Sequence, residues 1–151
     1  MNRHRSIPAA VLVTTIVFAI YLAVQLNGQT TPSGDFRNAA GVEVRDAQGQ
    51  VVLSGQFQIV RDDDDDDDDV ERKATLGPTG IDADAVGEAE VEYSTRAAAI
   101  QEVEFSVRNV APGATLTFAI DGMDVATATA NARGRAEVEL DVRIPGATSA
   151  R

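Results

Sequence analysis

The sequence predicts an all-β fold: an antiparallel β-sandwich of about seven to nine strands, preceded by one N-terminal hydrophobic helix. Three observations carry this. From Val42 onward, short runs alternate apolar and polar residues with period two, the pattern of a strand with one buried face. Turn-forming residues punctuate these runs at spacings of about 8–12 residues, with no convincing helix between them. Ahead of them stands Ile7–Leu26, a stretch without a charge.

That stretch follows a basic start, Met1-Asn2-Arg3-His4-Arg5, and its apolar core Ala9–Val24 is interrupted only by Thr14 and Thr15. A helix crossing a bilayer needs about 20 residues, whereas the apolar part of a cleaved signal runs to about 7–15. The core falls between these lengths. The best cleavage candidate, Leu26-Asn27-Gly28, lacks the small-x-small form, so residues 1–26 are read as an uncleaved signal anchor in preference to a signal peptide. Arg3 and Arg5 precede the span and the next charge is Asp35, which places the C-terminal part outside the cytoplasm. The expected location is the cell membrane, single-pass, with a secreted or periplasmic protein as the alternative. Residues 27–40 form a polar linker, and 41–151 the β domain, which is long enough for one core and too short for two.

The strands follow in order. Expected runs are 42–46, 50–54 and 56–61, with Gly55 marking a bulge within one bent strand. Next come 72–76 and 88–94, where Ala89, Val91 and Tyr93 alternate with glutamates. In 101–108, Val103, Phe105 and Val107 share a face opposite Glu102, Glu104 and Ser106. Leu116, Phe118 and Ile120 do the same in 115–120. After 123–130, the run 135–144 buries Ala136, Val138, Leu140, Val142 and Ile144 and exposes Glu137, Glu139, Asp141 and Arg143. Glutamate is a poor strand former, so its regular return requires a solvated sheet face. Ala97-Ala98-Ala99 is too short to nucleate a helix and is read as a hairpin loop or a single helical turn.

The turns agree. Asp46-Ala47-Gln48-Gly49 and Asn131-Ala132-Arg133-Gly134 each join two runs, and Ala111-Pro112-Gly113 turns the chain after Val110. Asp121-Gly122 suits a two-residue hairpin whose central positions both need positive φ. Gly87–Tyr93 and Gly134–Leu140 share a G-x-A-E-V-E-apolar string, which two strands with a common solvated face explain without a duplication.

From Asn109 to Leu140 the order is a P-G turn, a T-x-T strand, a D-G hairpin, a Thr-rich strand and an N-x-x-G turn into a final strand. These residues, about 109–140, resemble bacterial extracytoplasmic Ig-like β-sandwich modules. The resemblance implies an Ig-like fold and an extracytoplasmic compartment, and it transfers no binding or catalytic residue.

Composition removes many chemistries. Acidic residues number 24 against 13 basic ones, for a net charge of −11. Cys and Trp are absent, and the only histidine, His4, lies in the basic start. Disulfide scaffolds, thiolate or imidazole metal sites and Ser-His-Asp or Cys-His nucleophiles are therefore excluded from the β domain. Lys73, the sole lysine, stands in no Ser-x-x-Lys context. The negative charge opposes nucleic-acid binding, which depends on neutralising phosphates. Carboxylate pairs such as Glu90/Glu92 and Glu137/Glu139 lie on solvated faces, where they are expected to titrate normally and not as a tuned acid and base.

The run Asp62–Asp69 is the most conspicuous feature. A calcium ion takes six to eight oxygens from a chain that wraps around it, typically with D-x-D-x-D-G spacing. Consecutive aspartates in an extended chain point alternately to opposite sides and repel one another. The run therefore reads as a solvated segment of a flexible acidic loop at about 61–80, partly neutralised by Arg61 and by Arg72 and Lys73. Its alternative role is low-affinity Ca²⁺ binding, with Asp62, Asp64, Asp66 and Asp68, joined by Asp82 and Asp84, as candidate ligands. Asp121 and Asp124 form a further acidic pair that hairpin chemistry already explains.

The functional expectation is a non-enzymatic, membrane-tethered or secreted bacterial β-sandwich with a structural or interaction role. It has no cofactor, no catalytic residue and no nucleic-acid partner, and its partners are the membrane through residues 7–26 and a protein of the cell envelope. An acidic cation-binding module is the alternative, and a small carboxylate hydrolase comes third.

Overall fold

A computed structural model describes residues 33–60, 68–96 and 99–147. The expected hydrophobic helix, the aspartates before Asp68 and Ala97–Ala98 lie outside the described residues. Nine strands form among the described residues: β1 (Gly41–Arg45), β2 (Val51–Gln56), β3 (Gln58–Val60), β4 (Asp69–Pro78), β5 (Val86–Ser94), β6 (Ile100–Arg108), β7 (Thr115–Ile120), β8 (Met123–Thr129) and β9 (Arg135–Arg143). There is no helix among the described residues. β4 begins at Asp69 and runs to Pro78, so a strand takes up the second half of the stretch expected to be an acidic loop. It continues because Val70, Ala74 and Leu76 keep the period-two pattern, with Ala74 and Leu76 buried.

All pairings between strands are antiparallel, in the order β8-β7-β1-β2-β4-β5-β6-β9, with β3 also on β4. β4 is the shared element. Its end pairs with β2 through Leu53↔Pro78 and Ser54↔Gly77, Glu71–Lys73 pair with β3, and Asp69–Leu76 pair with β5. The sheet curls until its two edges, β8 and β9, touch without a hydrogen-bonded ladder between them, so it is nearly closed.

The bend on the β2 side differs from expectation. The strand runs straight through Gly55 and breaks at Phe57, whose N–H donates to the Ala40 carbonyl. Gly55 is needed for another reason: a Cβ there would stand 2.5 Å from the Thr75 carbonyl oxygen of β4. Irregularities in register occur at Val44/Arg45 and at Phe118/Ala119. Opposite them the consecutive pairs Val52–Leu53 and Val125–Ala126 are all buried, which strict alternation forbids and an extra strand residue permits.

The turns take the conformations their residues favour. Asp121 and Gly122 have φ of 48° and 81°, the two positive values of a tight primed turn. Asp46 accepts the N–H groups of Gln48 and Gln50 through its carboxylate, and Asn131 accepts those of Arg133 and Arg135 through its amide oxygen. One turn grammar thus serves two hairpins.

Phe105 and Phe118 lie at the centre of the core with Val44, Leu53, Val91, Val103 and Val142, all with no exposed surface. Val138 is buried, but Leu140 is only half-buried. It sits on edge strand β9, opposite Val103 on one side and without a ladder partner on the other.

The described part of the expected linker is an arm packed on this core. Phe36 and Ala39 are buried. Gln101, the one buried polar residue among those described, donates through Nε2 to the Gly34 carbonyl at 2.6 Å and accepts the Phe36 N–H through Oε1 at 3.0 Å. Arg72 donates to the carbonyls of Arg37 and Ala39 at 3.2 and 3.0 Å. The Asp121 carboxylate accepts the N–H groups of Ala40 and Gly41. The arm forms no ladder beyond a single parallel bridge, Ser33↔Arg143, so side chains supply most of its backbone partners.

Candidate functional site

Apart from Arg72 and Gln101, which face the arm, alternation puts the polar residues of β4, β5, β6 and β9 on the outer face, and the register aligns them in rows. One row is Glu71, Glu92, Glu102 and Asp141. The next is Lys73, Glu90, Glu104 and Glu139, and the third is Thr75, Glu88, Ser106 and Glu137. Within these three rows nine carboxylates therefore stand with a single cation, Lys73, while Arg108, Arg135 and Arg143 lie on the same face beyond the rows. Directly opposed side chains in an antiparallel pair have Cβ atoms about 4.5–5.5 Å apart, where like charges destabilise. Four such carboxylate pairs span β5–β6–β9: Glu90–Glu104, Glu92–Glu102, Glu104–Glu139 and Glu102–Asp141.

Electrostatics differ across the face. Lys73 pairs with Glu71 and lies 3.5 Å from Glu90. The ammonium holds the Glu71 carboxyl below its ordinary range, against partial burial, while Glu71 in turn raises Lys73. Glu90 goes the other way. Partial burial, and then the neighbouring Glu71, push its carboxyl up to about 7 despite Lys73. Glu102 and Glu104 are also raised, first by partial burial and then by Glu139, with smaller contributions from other acidic neighbours. The expectation of normal titration thus fails for Glu90, because its side chain is only 30% exposed and is crowded by carboxylates from both flanking strands.

The residues singled out as candidate cation ligands are not brought together. Asp62, Asp64 and Asp66 lie outside the described residues. Asp68 pairs with Arg96 at 2.6 Å, and its carbonyl accepts the N–H and hydroxyl of Thr95. Arg96, not Arg72 or Lys73, is therefore the cation engaged at the end of the run. Asp82 and Asp84 occupy the turn before β5, where their carbonyls accept from the Ala85 N–H and from the Asn109 side chain. Asp121 caps the arm and Asp124 pairs with Arg45 at 2.9 Å. Among the described residues no group of three or more His, Asp or Glu side chains is arranged to hold a metal ion.

A shallow groove of about 380 Å³ lies between β1, β2 and the Asp121-Gly122 turn. Its two carboxylates are already engaged, Glu43 with Arg45 and Asp121 with the arm.

The outer glutamates were legible within each strand, but their convergence was not, because β6 and β9 are separated by two intervening strands in sequence. A search for opposed Glu-x-Glu strings in runs of equal length was the available signal. No helix among the described residues is long and apolar enough to cross a membrane. Comparison with family models, with curated proteins and with solved structures finds no match to this chain.

Proposed function

We propose that this chain is a membrane-tethered or secreted extracytoplasmic domain of Ig-like β-sandwich form, and that it acts as a non-enzymatic interaction module. Its working surface is the carboxylate face of β4, β5, β6 and β9, and its partner is a cationic protein surface of the cell envelope. One observation carries the reading: nine carboxylates aligned against one lysine. Rows of like charge oppose strand pairing, and the core needs none of them. Local rules broken at a cost to stability are expected at surfaces that serve function. The basic start and the uncharged segment 7–26 support the tether.

An oligolysine peptide serves as the probe, titrated by calorimetry against the full chain in detergent. The triple variant Glu102→Gln/Glu104→Gln/Glu139→Gln is expected to weaken binding at least tenfold, while replacing residues 62–67 by Gly and Ser leaves most of it. Binding that survives the triple variant and disappears with the run would transfer the function to the aspartates. In intact spheroplasts, added protease is expected to digest the β domain, and full protection until lysis would refute the assigned compartment.

A further inference from the structure

The carboxylate face also has the geometry of a proton-responsive element. Glu90 and Glu104 are opposed at its centre. Facing them from β4 are Glu71 and Lys73, from β5 Glu88 and Glu92, from β6 Glu102, and from β9 Glu137, Glu139 and Asp141. Lys73 is the one cation in this set, and it is committed to the β4 side through Glu71. Arginines stand only beyond the rows: Arg108 opposite Arg135 at one end, and Arg143 opposite Ile100 at the other. The β6–β9 half therefore has no internal counter-charge, while its inner face is fixed by Val103, Phe105, Val138 and Val142. The strands are unable to separate to relieve the repulsion without opening the core. Proton uptake relieves it without any movement.

We propose that the β5–β6–β9 rows form a proton-operated stabilising device: passing from neutral to mildly acidic surroundings, the face takes up protons, loses negative charge and tightens the sheet. Three carboxyls there are raised in the folded state, Glu90 to about 7, with Glu102 and Glu104 shifted in the same direction. Such groups stabilise below their unfolded values, and the contribution fades as pH rises through the folded ones. Stability consequently climbs as pH falls from about 7.5 towards the ordinary glutamate value of about 4.3. Glu71, held low, acts in the opposite sense, but only below the ordinary carboxylate range.

The full chain carrying His4→Gln provides the background, since His4 is its only histidine and histidine in general titrates in this window. Between pH 7.5 and 5.5 its melting temperature is expected to rise by about 4 °C or more, the response to relief of roughly one opposed pair. Glu90→Gln/Glu104→Gln is expected to melt higher than the background at pH 7.5 and to lose at least half of the rise. Glu43→Gln, on the other half of the sheet, keeps it. Carbon-detected NMR of the unsubstituted rows is expected to show midpoints for Glu90, Glu102 and Glu104 above the ordinary glutamate value of about 4.3. A melting temperature that stays flat or falls over this interval, ordinary midpoints, or a rise undiminished in the double variant would each overturn the proposal.

Discussion

The rings of Phe105 and Phe118 meet with centroids 4.8 Å apart and planes inclined at 32°, joining β6 to β7 through the core. These strands are each second from an opposite end of the sheet order, so the pair ties together the two halves of the curl. Phe118→Ala is expected to cost about 3–5 kcal/mol in chemical denaturation. A double-mutant cycle with Phe105→Ala should return a coupling of about 0.5–1.5 kcal/mol. Additive losses would show that the contact contributes only area.

The arm depends on two side chains. Gln101→Ala leaves the Gly34 carbonyl and the Phe36 N–H without their buried partner, at about 1–3 kcal/mol for each group that water fails to reach. Arg72→Met removes the donors to Arg37 and Ala39. Both variants should speed hydrogen exchange at the Phe36 amide while leaving Val103 and Phe105 protected. Equal acceleration at all three would mean that the arm and core open as one unit.

Lys73 is half-exposed, so its pairing contributes little, about 0.2–1 kcal/mol. Lys73→Met should cost that amount at pH 7.5 and less at pH 5.5. The reason is the sign of the Glu90 shift: with its carboxyl raised to about 7, Glu90 is largely neutral at the lower pH and needs its cation less. Glu139→Ala should stay within about 0.5 kcal/mol as an exposed change. A Lys73→Met cost that grows on acidification would contradict the assigned direction.

For the aspartate run, replacing residues 62–67 by Gly and Ser while keeping Asp68 for Arg96 should preserve the fold and raise the melting temperature slightly, most at low salt. Calcium at millimolar level should do little more than sodium at equal ionic strength. A specific native-state site at about one hundred times its dissociation constant adds about 2.7 kcal/mol, or roughly 10 °C in a domain of this size. A rise of that order, absent with sodium and lost in the Gly/Ser variant, would identify the run as a calcium site.

Much of the fold was legible because its signals are local. Alternation gave runs overlapping every strand, though it joined β2 to β3 through Gly55 and saw only the middle of β4, and Asp121-Gly122 and the two D/N-x-x-G turns carry their conformations in their own residues. What escaped depends on partners distant in sequence. The bulges that bury Val52 with Leu53 and Val125 with Ala126 are set by register against β1 and β7. The arm was taken for linker because its anchors, Arg72, Gln101 and Asp121, lie 33 to 81 residues away. Leu140 looked as deeply placed as Val138 because alternation gives a face and says nothing of the edge. The perturbation of Glu90 required knowing that β4 and β6 flank it, which no pattern within Val86–Ser94 contains.

The arm also determines how the domain responds to tension. A pull applied ahead of Ser33 meets its attachments one after another: the Arg143 bridge, the Gln101 amide, the Arg72 guanidinium and then the Asp121 carboxylate. They lie in series, so each carries the load alone and releases before the next is strained. Peeling residues 33–40 pays out roughly 26–29 Å of extended chain, and β1, held between β2 and β7, is loaded only afterwards. The arm is thus a sacrificial length that gives up Phe36 and Ala39 from the core before any strand of the sheet is strained.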